Sequence, residues 1–247
     1  MAQVRILLLA GAAEARHIAL ALWREPSLSV TVSLSRAGRR PQSFGWPVRI
    51  GGWGGEEAYR DWVISENFRA VIDATHPFAT HMAVRSARVS EHLGIDHIRL
   101  VRPTWVPGDG DQWTFLNCEN EAAQHIPQEA TVFLGTGRRR LDDLEPLSGR
   151  RIVCRVREWP VGDFPFPNGD FLFDPGPYTV EGETRLFRRL GVDWLIARNT
   201  GGAASWPKIE AARELGLRVA MIRRPKQPEG PRVSSVAETL AWVRRRM

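Results

Sequence analysis

Short apolar runs, each closed by glycine or a small polar turn and followed by a stretch of helical periodicity, recur along this chain and confine it to an α/β architecture. The first, Val4 to Ala10, suits a parallel strand buried on both faces. Gly11 turns the chain, and Ala15, Ile18, Ala19, Leu22 and Trp23 then share one helical face. The same reading predicts strands at 28–34, 48–50, 70–72 and 97–101, with helices over 59–65 and 78–93 between them. Proline and glycine crowd residues 102–113, which read as a connection. The theme then repeats, with strands at 131–134, 151–156, 194–197 and 217–222. A helix carries Ile209, Ala212 and Leu215, a last one carries Val236, Leu240 and Val243, and residues 160–177 form a structured loop.

The expected fold is therefore α/β: two Rossmann-like lobes with mostly parallel sheets and a cleft between them, residues 1–102 and 103–247. A content of 43% apolar residues in 247 supports a core of that size. No apolar run is long enough to span a bilayer, and the opening apolar stretch runs straight into Gly11 and Glu14, as a strand does and a signal peptide does not. Cys118 and Cys154 lie in no metal-binding spacing and suit a reducing cytoplasm.

Charge narrows the partners. The net charge is +6, and Lys208 and Lys226 are the only lysines, so the positive charge is carried by arginine, whose planar fork pairs with carboxylates and phosphates at two points. Nucleic acid, a polyanionic small ligand and a coding bias toward arginine all accommodate this. The basic residues are dispersed, apart from Arg138–Arg140 and Arg244–Arg246, and do not alternate with aromatics, which argues against nucleic acid.

The strand ends share one grammar. Gly11-Ala-Ala-Glu14, Ser35-Arg36, Thr75-His76, Gly135-Thr-Gly137 and Arg198-Asn-Thr-Gly-Gly202 each follow a strand, at the edge where open α/β sheets bind ligands. Small residues let phosphates approach the backbone, and the next helix offers its N–H groups. Around the end of the second strand stand Ser33, Ser35, Arg36, Arg39 and Arg40 without an acid, which favours NADPH over NADH; an ordinary solvated loop of arginines is the competing reading. The run Asp73-Ala-Thr-His-Pro-Phe-Ala79 is the most specific segment: Pro77 stiffens it, and Asp73 and Thr75 either serve a ligand or cap the helix beginning near Phe78. His76 and His81 lack a third metal ligand, so no metal is expected; Trp105, Trp159 and Trp206 sit in loops where a flat ligand could stack.

Taken together, these segments resemble the precorrin-6A reductase family of cobalamin (vitamin B12) biosynthesis. The resemblance runs through Leu7-Leu-Leu-Ala-Gly-Ala-Ala-Glu-Ala-Arg16, Asp73–Ala79, Arg102-Pro-x-Trp105 and Val132-Phe-Leu-Gly-Thr-Gly137. It continues through Gly176-Pro-Tyr178 with Glu181 and Glu183, Asn199-Thr-Gly-Gly202 with Lys208, and Arg224-Pro225. The chain departs from the family pattern at Ala10-Gly-Ala-Ala13, where Gly-Gly-Thr is usual, at Arg198, where Lys is usual, and at Thr200-Gly201, where Ser-Gly is usual.

The resemblance implies an oxidoreductase that reduces one double bond of the precorrin-6A macrocycle, giving precorrin-6B, with NADPH as donor. A cobalt-precorrin-6A reductase using NADH, or a non-catalytic tetrapyrrole or nucleic-acid binder, are the alternatives. In the implied arrangement Gly11, Ala13 and Glu14 line the pyrophosphate turn, Ser35 and Arg36 read the 2′-phosphate, and Thr75 and His76 border the nicotinamide, His76 being a candidate proton donor. Thr136, Gly137 and Arg198 are assigned to the cofactor, and Asp73, Thr200, Gly201, Gly202 and Lys208 to the polycarboxylate tetrapyrrole. Transient contact with neighbouring pathway enzymes is a further partner expectation; membrane and nucleic acid are not expected.

Overall fold

A computed structural model of the chain describes residues 3–36, 43–158 and 162–246. It divides into two compact units: residues 1–103 with 225–247, and residues 104–224.

In the first unit, β1 (Val4–Ala10), β2 (Leu28–Leu34), β3 (Val48–Ile50), β4 (Ala70–Ala74) and β5 (Asp96–Leu100) alternate with α1 (Glu14–Leu22), α2 (Glu56–Ser65) and α3 (Thr80–Leu93). Side chains of β1 explain why its apolar run has no polar face. Ile6 and Leu8 pack with Ile18 of α1, Val30, Ile72 and Trp242, whereas Leu7 and Leu9 pack with Tyr59 and Val63 of α2, Val71 and Val89 of α3. Both sheet faces are thus covered, as parallel strands joined by helical crossovers require. Trp23, expected on the buried face of α1, is 58% exposed and meets Trp46 edge to face. It lies one residue beyond the helix, where the chain is already turning into the next segment.

The second unit contains β6 (Gln112–Leu116), β7 (Thr131–Leu134), β8 (Arg151–Val156), β9 (Gly169–Phe173), α4 (Val180–Leu190), β10 (Trp194–Arg198), α5 (Pro207–Glu214) and β11 (Arg218–Ile222). Phe133, Leu195, Ala197, Val219 and Met221 of its strands pack with Phe187 of α4 and with Ile209 and Ala212 of α5. β6 begins inside the stretch expected to be only a connection, and β9 lies inside the expected loop. The chain then returns to the first unit as β12 (Arg232–Val233) and α6 (Val236–Arg246). Residues 225–247, expected in the second lobe, therefore belong to the first: β12 pairs with β5, and Trp242 and Val243 complete its core.

Each unit holds a six-stranded sheet, in the orders β3-β2-β1-β4-β5-β12 and β9-β8-β7-β10-β11-β6. All strand pairings are parallel. Both sheets run outward in two directions from a central pair, β1/β4 and β7/β10, which is the doubly wound arrangement with its switch point between those strands. The outermost strands are exchanged in sequence. The strand following β5 is β6, which closes the second sheet beside β11, and the strand following β11 is β12, which closes the first sheet beside β5.

Candidate active site

At the switch point of the first sheet, β1 and β4 end side by side in register, Ala10 opposite Ala74. The turns that follow touch. Ala12 N–H donates to Ala74 O at 2.9 Å, and a Cβ on Gly11 would stand 2.9 Å from His76 N and 3.2 Å from Thr75 Cα. Only glycine permits that approach, because the opposing atoms are backbone. No side chain caps the N-terminus of α1, where Gly11 and Ala13 are exposed, so that helix end is open to an anion. Glu14 is held by Arg102, whose Nη1 donates to both carboxylate oxygens at 3.1 and 2.8 Å, so this acid braces the turn. Ser35 and Arg36 are exposed after β2; Arg39, Arg40 and Trp159 lie outside the described residues.

The 73–79 segment is built from beneath. Asp73 was expected at a strand end, touching substrate, but β4 continues through Ala74 and Asp73 is wholly buried. Its carboxylate accepts from Thr75 N–H at 2.9 Å and pairs with Arg99, its cross-strand neighbour on β5. Asp73 is therefore withdrawn from any ligand, because it neutralises a buried guanidinium. The capping reading also fails: α3 starts at Thr80, with no side chain capping it. Arg99 Nη1 reaches Thr75 Oγ1 at 3.2 Å, while Ala79 N–H donates to His76 O at 2.8 Å. His76 is half-buried, and its Nδ1 accepts from Phe78 N–H at 3.3 Å, which assigns a proton to Nε2 in the neutral ring. His97 lies behind this group, its pKa lowered by burial despite the opposing pull of Asp73.

At the switch point of the second sheet, β7 ends in Gly135-Thr-Gly137 and β10 in Asn199-Thr-Gly-Gly202. Gly135 N–H donates to Ile196 O at 2.9 Å, and a Cβ on Gly135 would meet the Lys208 stem at 3.2 Å. Thr136 Oγ1 is buried without a hydrogen-bond partner among the described residues, an open position for a ligand atom. Gly137 and Gly201 adopt φ of 75° and 67°, which their glycine identity allows. Asn199 clamps Trp105, accepting from its N–H at 2.8 Å and donating to its O at 2.9 Å. Arg198, assigned to the cofactor, gives Nε and Nη2 to buried Glu119 at 2.8 and 2.5 Å. Lys208 Nζ donates to Ser205 O at 2.8 Å and stands 5.9 Å over the Trp105 ring. Burial, reinforced by Arg155 and opposed by Glu183, lowers its pKa to about 8. That arginine is itself sandwiched between Phe133 and Tyr178 and forked onto Glu183 at 2.6 Å. A depression of about 520 Å³ among Gln128, Glu129, Arg151 and Asp170 lies at the opposite, amino end of β8 and β9, away from this chemistry.

Gly11, Thr75 and His76 are thus brought together, with Ala13 in the same turn, while in the other unit Thr136 and Gly137 follow β7 and Thr200, Gly201 and Gly202 follow its neighbour β10, with the Lys208 stem against Gly135. Arg99, Arg102 and Asn199 hold these turns and were not assigned from sequence. The signal for Arg99 was a guanidinium interrupting an apolar strand that also follows the Asp73 strand. No group of three or more His, Cys, Asp or Glu with metal-holding geometry occurs among the described residues. None of the described helices is long and apolar enough to cross a membrane.

Two doubly wound parallel sheets, each with a glycine-lined switch point, place this chain in the nucleotide-binding α/β class of folds. The profile of the family described as Precorrin-6x reductase CbiJ/CobK matches residues 5–244, and the chain belongs to that family, oxidoreductases of cobalamin biosynthesis that act on a tetrapyrrole. A precorrin-6A reductase of Rhodococcus erythropolis is 36% identical over 97% of both chains. A cobalt-precorrin-6A reductase of Priestia megaterium is 29% identical over 95% of this chain and 96% of its own. A solved structure of CobK precorrin-6A reductase superposes with a TM-score of 0.92 at 31% identity, covering 99% of this chain and 97% of that one.

Proposed function

We propose that this chain reduces precorrin-6A to precorrin-6B with NADPH. The end of β2 carries the cofactor reading: Ser35 and Arg36 stand exposed there with no acid beside them, the composition suited to a 2′-phosphate. The higher identity to precorrin-6A reductases than to the cobalt-precorrin-6A reductase supports the metal-free substrate.

Bound nicotinamide supplies a hydride. The chain supplies what surrounds that event. Gly11 and Ala13 leave backbone and the open end of α1 for the pyrophosphate, with Glu14 and Arg102 holding the turn. Thr75 and His76 border the nicotinamide, and His76 Nε2–H is a proton donor of suitable chemistry. Thr136 and Gly137 stay with the cofactor, and Thr200, Gly201, Gly202 and Lys208 receive the carboxylate-rich macrocycle, where a desolvated ammonium attracts an anion more strongly than an exposed one. Arg198 supports this surface through Glu119 and is given no direct cofactor contact. The two cysteines are free thiols, suited to a reducing compartment.

Calorimetric titration with NADPH and NADH, followed by anaerobic addition of precorrin-6A with its visible spectrum monitored, tests the reading. Tighter NADPH binding with cofactor oxidation and a spectral shift is expected. Equal affinity for the two nucleotides would sink the 2′-phosphate assignment.

A further inference from the structure

Gln227 makes four polar contacts, one of them directly to the 75–77 turn. Its Oε1 accepts from Arg99 Nε at 3.2 Å and Nη2 at 2.9 Å. Its Nε2 donates to Pro77 O at 3.1 Å and to Pro225 O at 2.6 Å. The amide orientation is unambiguous, since a guanidinium only donates and a carbonyl only accepts. Gln227 stands in the segment that returns to the first unit, between Pro225 and Pro228, whose rings fix φ on either side.

These contacts complete a closed set. Asp73 neutralises Arg99, Arg99 holds Thr75 Oγ1, and Gln227 both occupies the remaining edge of that guanidinium and binds the carbonyl of Pro77. His76 is therefore flanked by two residues fixed through one buried arginine and one glutamine, the latter about 150 residues distant in sequence. Pro77 has no N–H, so its carbonyl is the handle through which this side of the turn can be held.

We propose that Gln227 is a positioning residue of the reduction, which sets the 75–77 turn from the returning segment so that His76 is presented in one orientation. The proposal rests on the reading of that turn as the nicotinamide border. In this role Gln227 acts through the turn rather than on the reacting atoms.

Gln227→Glu keeps the acceptor toward Arg99 but can donate neither to Pro77 O nor to Pro225 O, so the His76 resonances, and not the melt, read positioning. The purified full chain would be compared with Gln227→Glu, Thr75→Val and His76→Ala in three measurements. These are NADPH affinity by calorimetry, the His76 imidazole resonances without cofactor, and the melting temperature. Gln227→Glu is expected to shift the His76 resonances and weaken NADPH roughly 3- to 10-fold while remaining folded, its melt lowered by a carboxylate set against two carbonyl oxygens. Unmoved His76 resonances together with parental NADPH affinity would overturn the proposal. If Thr75→Val and His76→Ala also bind NADPH normally, the nicotinamide reading of the turn falls instead. Shifted His76 resonances in Gln227→Glu would then still establish the positioning itself.

Discussion

Asp73 and Arg99 are opposed across β4 and β5 and form an ion pair from which water is excluded, with side-chain exposures of 0% and 2%. Such a pair is expensive to desolvate and more expensive to break. Its place among the buried aliphatic side chains of β1, β4 and β5 suits a role in shaping the turn above it. Asp73→Asn should cost about 3–5 kcal/mol in urea unfolding, because Arg99 would remain buried without its counter-ion. Replacing both by apolar residues, Asp73→Leu with Arg99→Met, should recover much of that loss while leaving NADPH binding impaired. A single Asp73→Asn protein as stable as the parent would contradict this account.

Gly11→Ala should be damaging although it adds only a methyl group. The new Cβ would meet His76 N and Thr75 Cα, neither of which can swing aside. About 1–3 kcal/mol of stability should be lost, with weaker NADPH binding. Gly52→Ala is the control, since nothing lies within 4 Å of its position, and it should melt as the parent does.

Arg36→Ala should raise the NADPH dissociation constant roughly 10- to 150-fold, the equivalent of one charge-assisted contact, and leave NADH almost unaffected. Equal losses with both nucleotides in calorimetry would remove Arg36 from the 2′-phosphate.

The Lys208 ammonium gives a pH signature. With its pKa lowered from 10.5 to about 8 by burial, substrate KM should be flat below that value. Above it, KM should climb by up to about tenfold per pH unit as the charge is lost. Lys208→Arg, which stays charged, should flatten the climb. Stability without substrate should move the other way. The folded state prefers the neutral amine, so the unfolded chain holds the extra proton between about 8 and 10.5 and stability rises with pH there. Lys208→Met should abolish that slope.

Much of the fold was legible because its central strands are covered on both faces and so appear as uninterrupted apolar runs: 6–10, 132–134 and 194–197 are examples. Of the edge strands, β3 was legible and the other three were not. β6 reads Gln-Trp-Thr-Phe-Leu and β9 Gly-Asp-Phe-Leu-Phe, partly exposed and lying in or beside proline- and glycine-rich sequence, and β12 has two residues. α4 escaped notice as well, although Thr179 caps it by accepting from Gly182 N–H. The turns of the candidate site were legible from their glycines and from the Asp73–Ala79 string. What holds them was not, since Arg99 and Gln227 come from segments remote in sequence that only the tertiary fold brings together.

The exchange of the outermost strands bears on how this protein is made. While the ribosome elongates from residue 100 to residue 233, β5 has been synthesised but its neighbour β12 has not. At ordinary elongation speeds that interval is on the order of ten seconds, during which a nascent parallel sheet presents a bare hydrogen-bonding edge. Chains emerging close together on one message could pair along it. Slow translation near the 3′ end should therefore lower soluble yield more than the same delay within the first hundred codons.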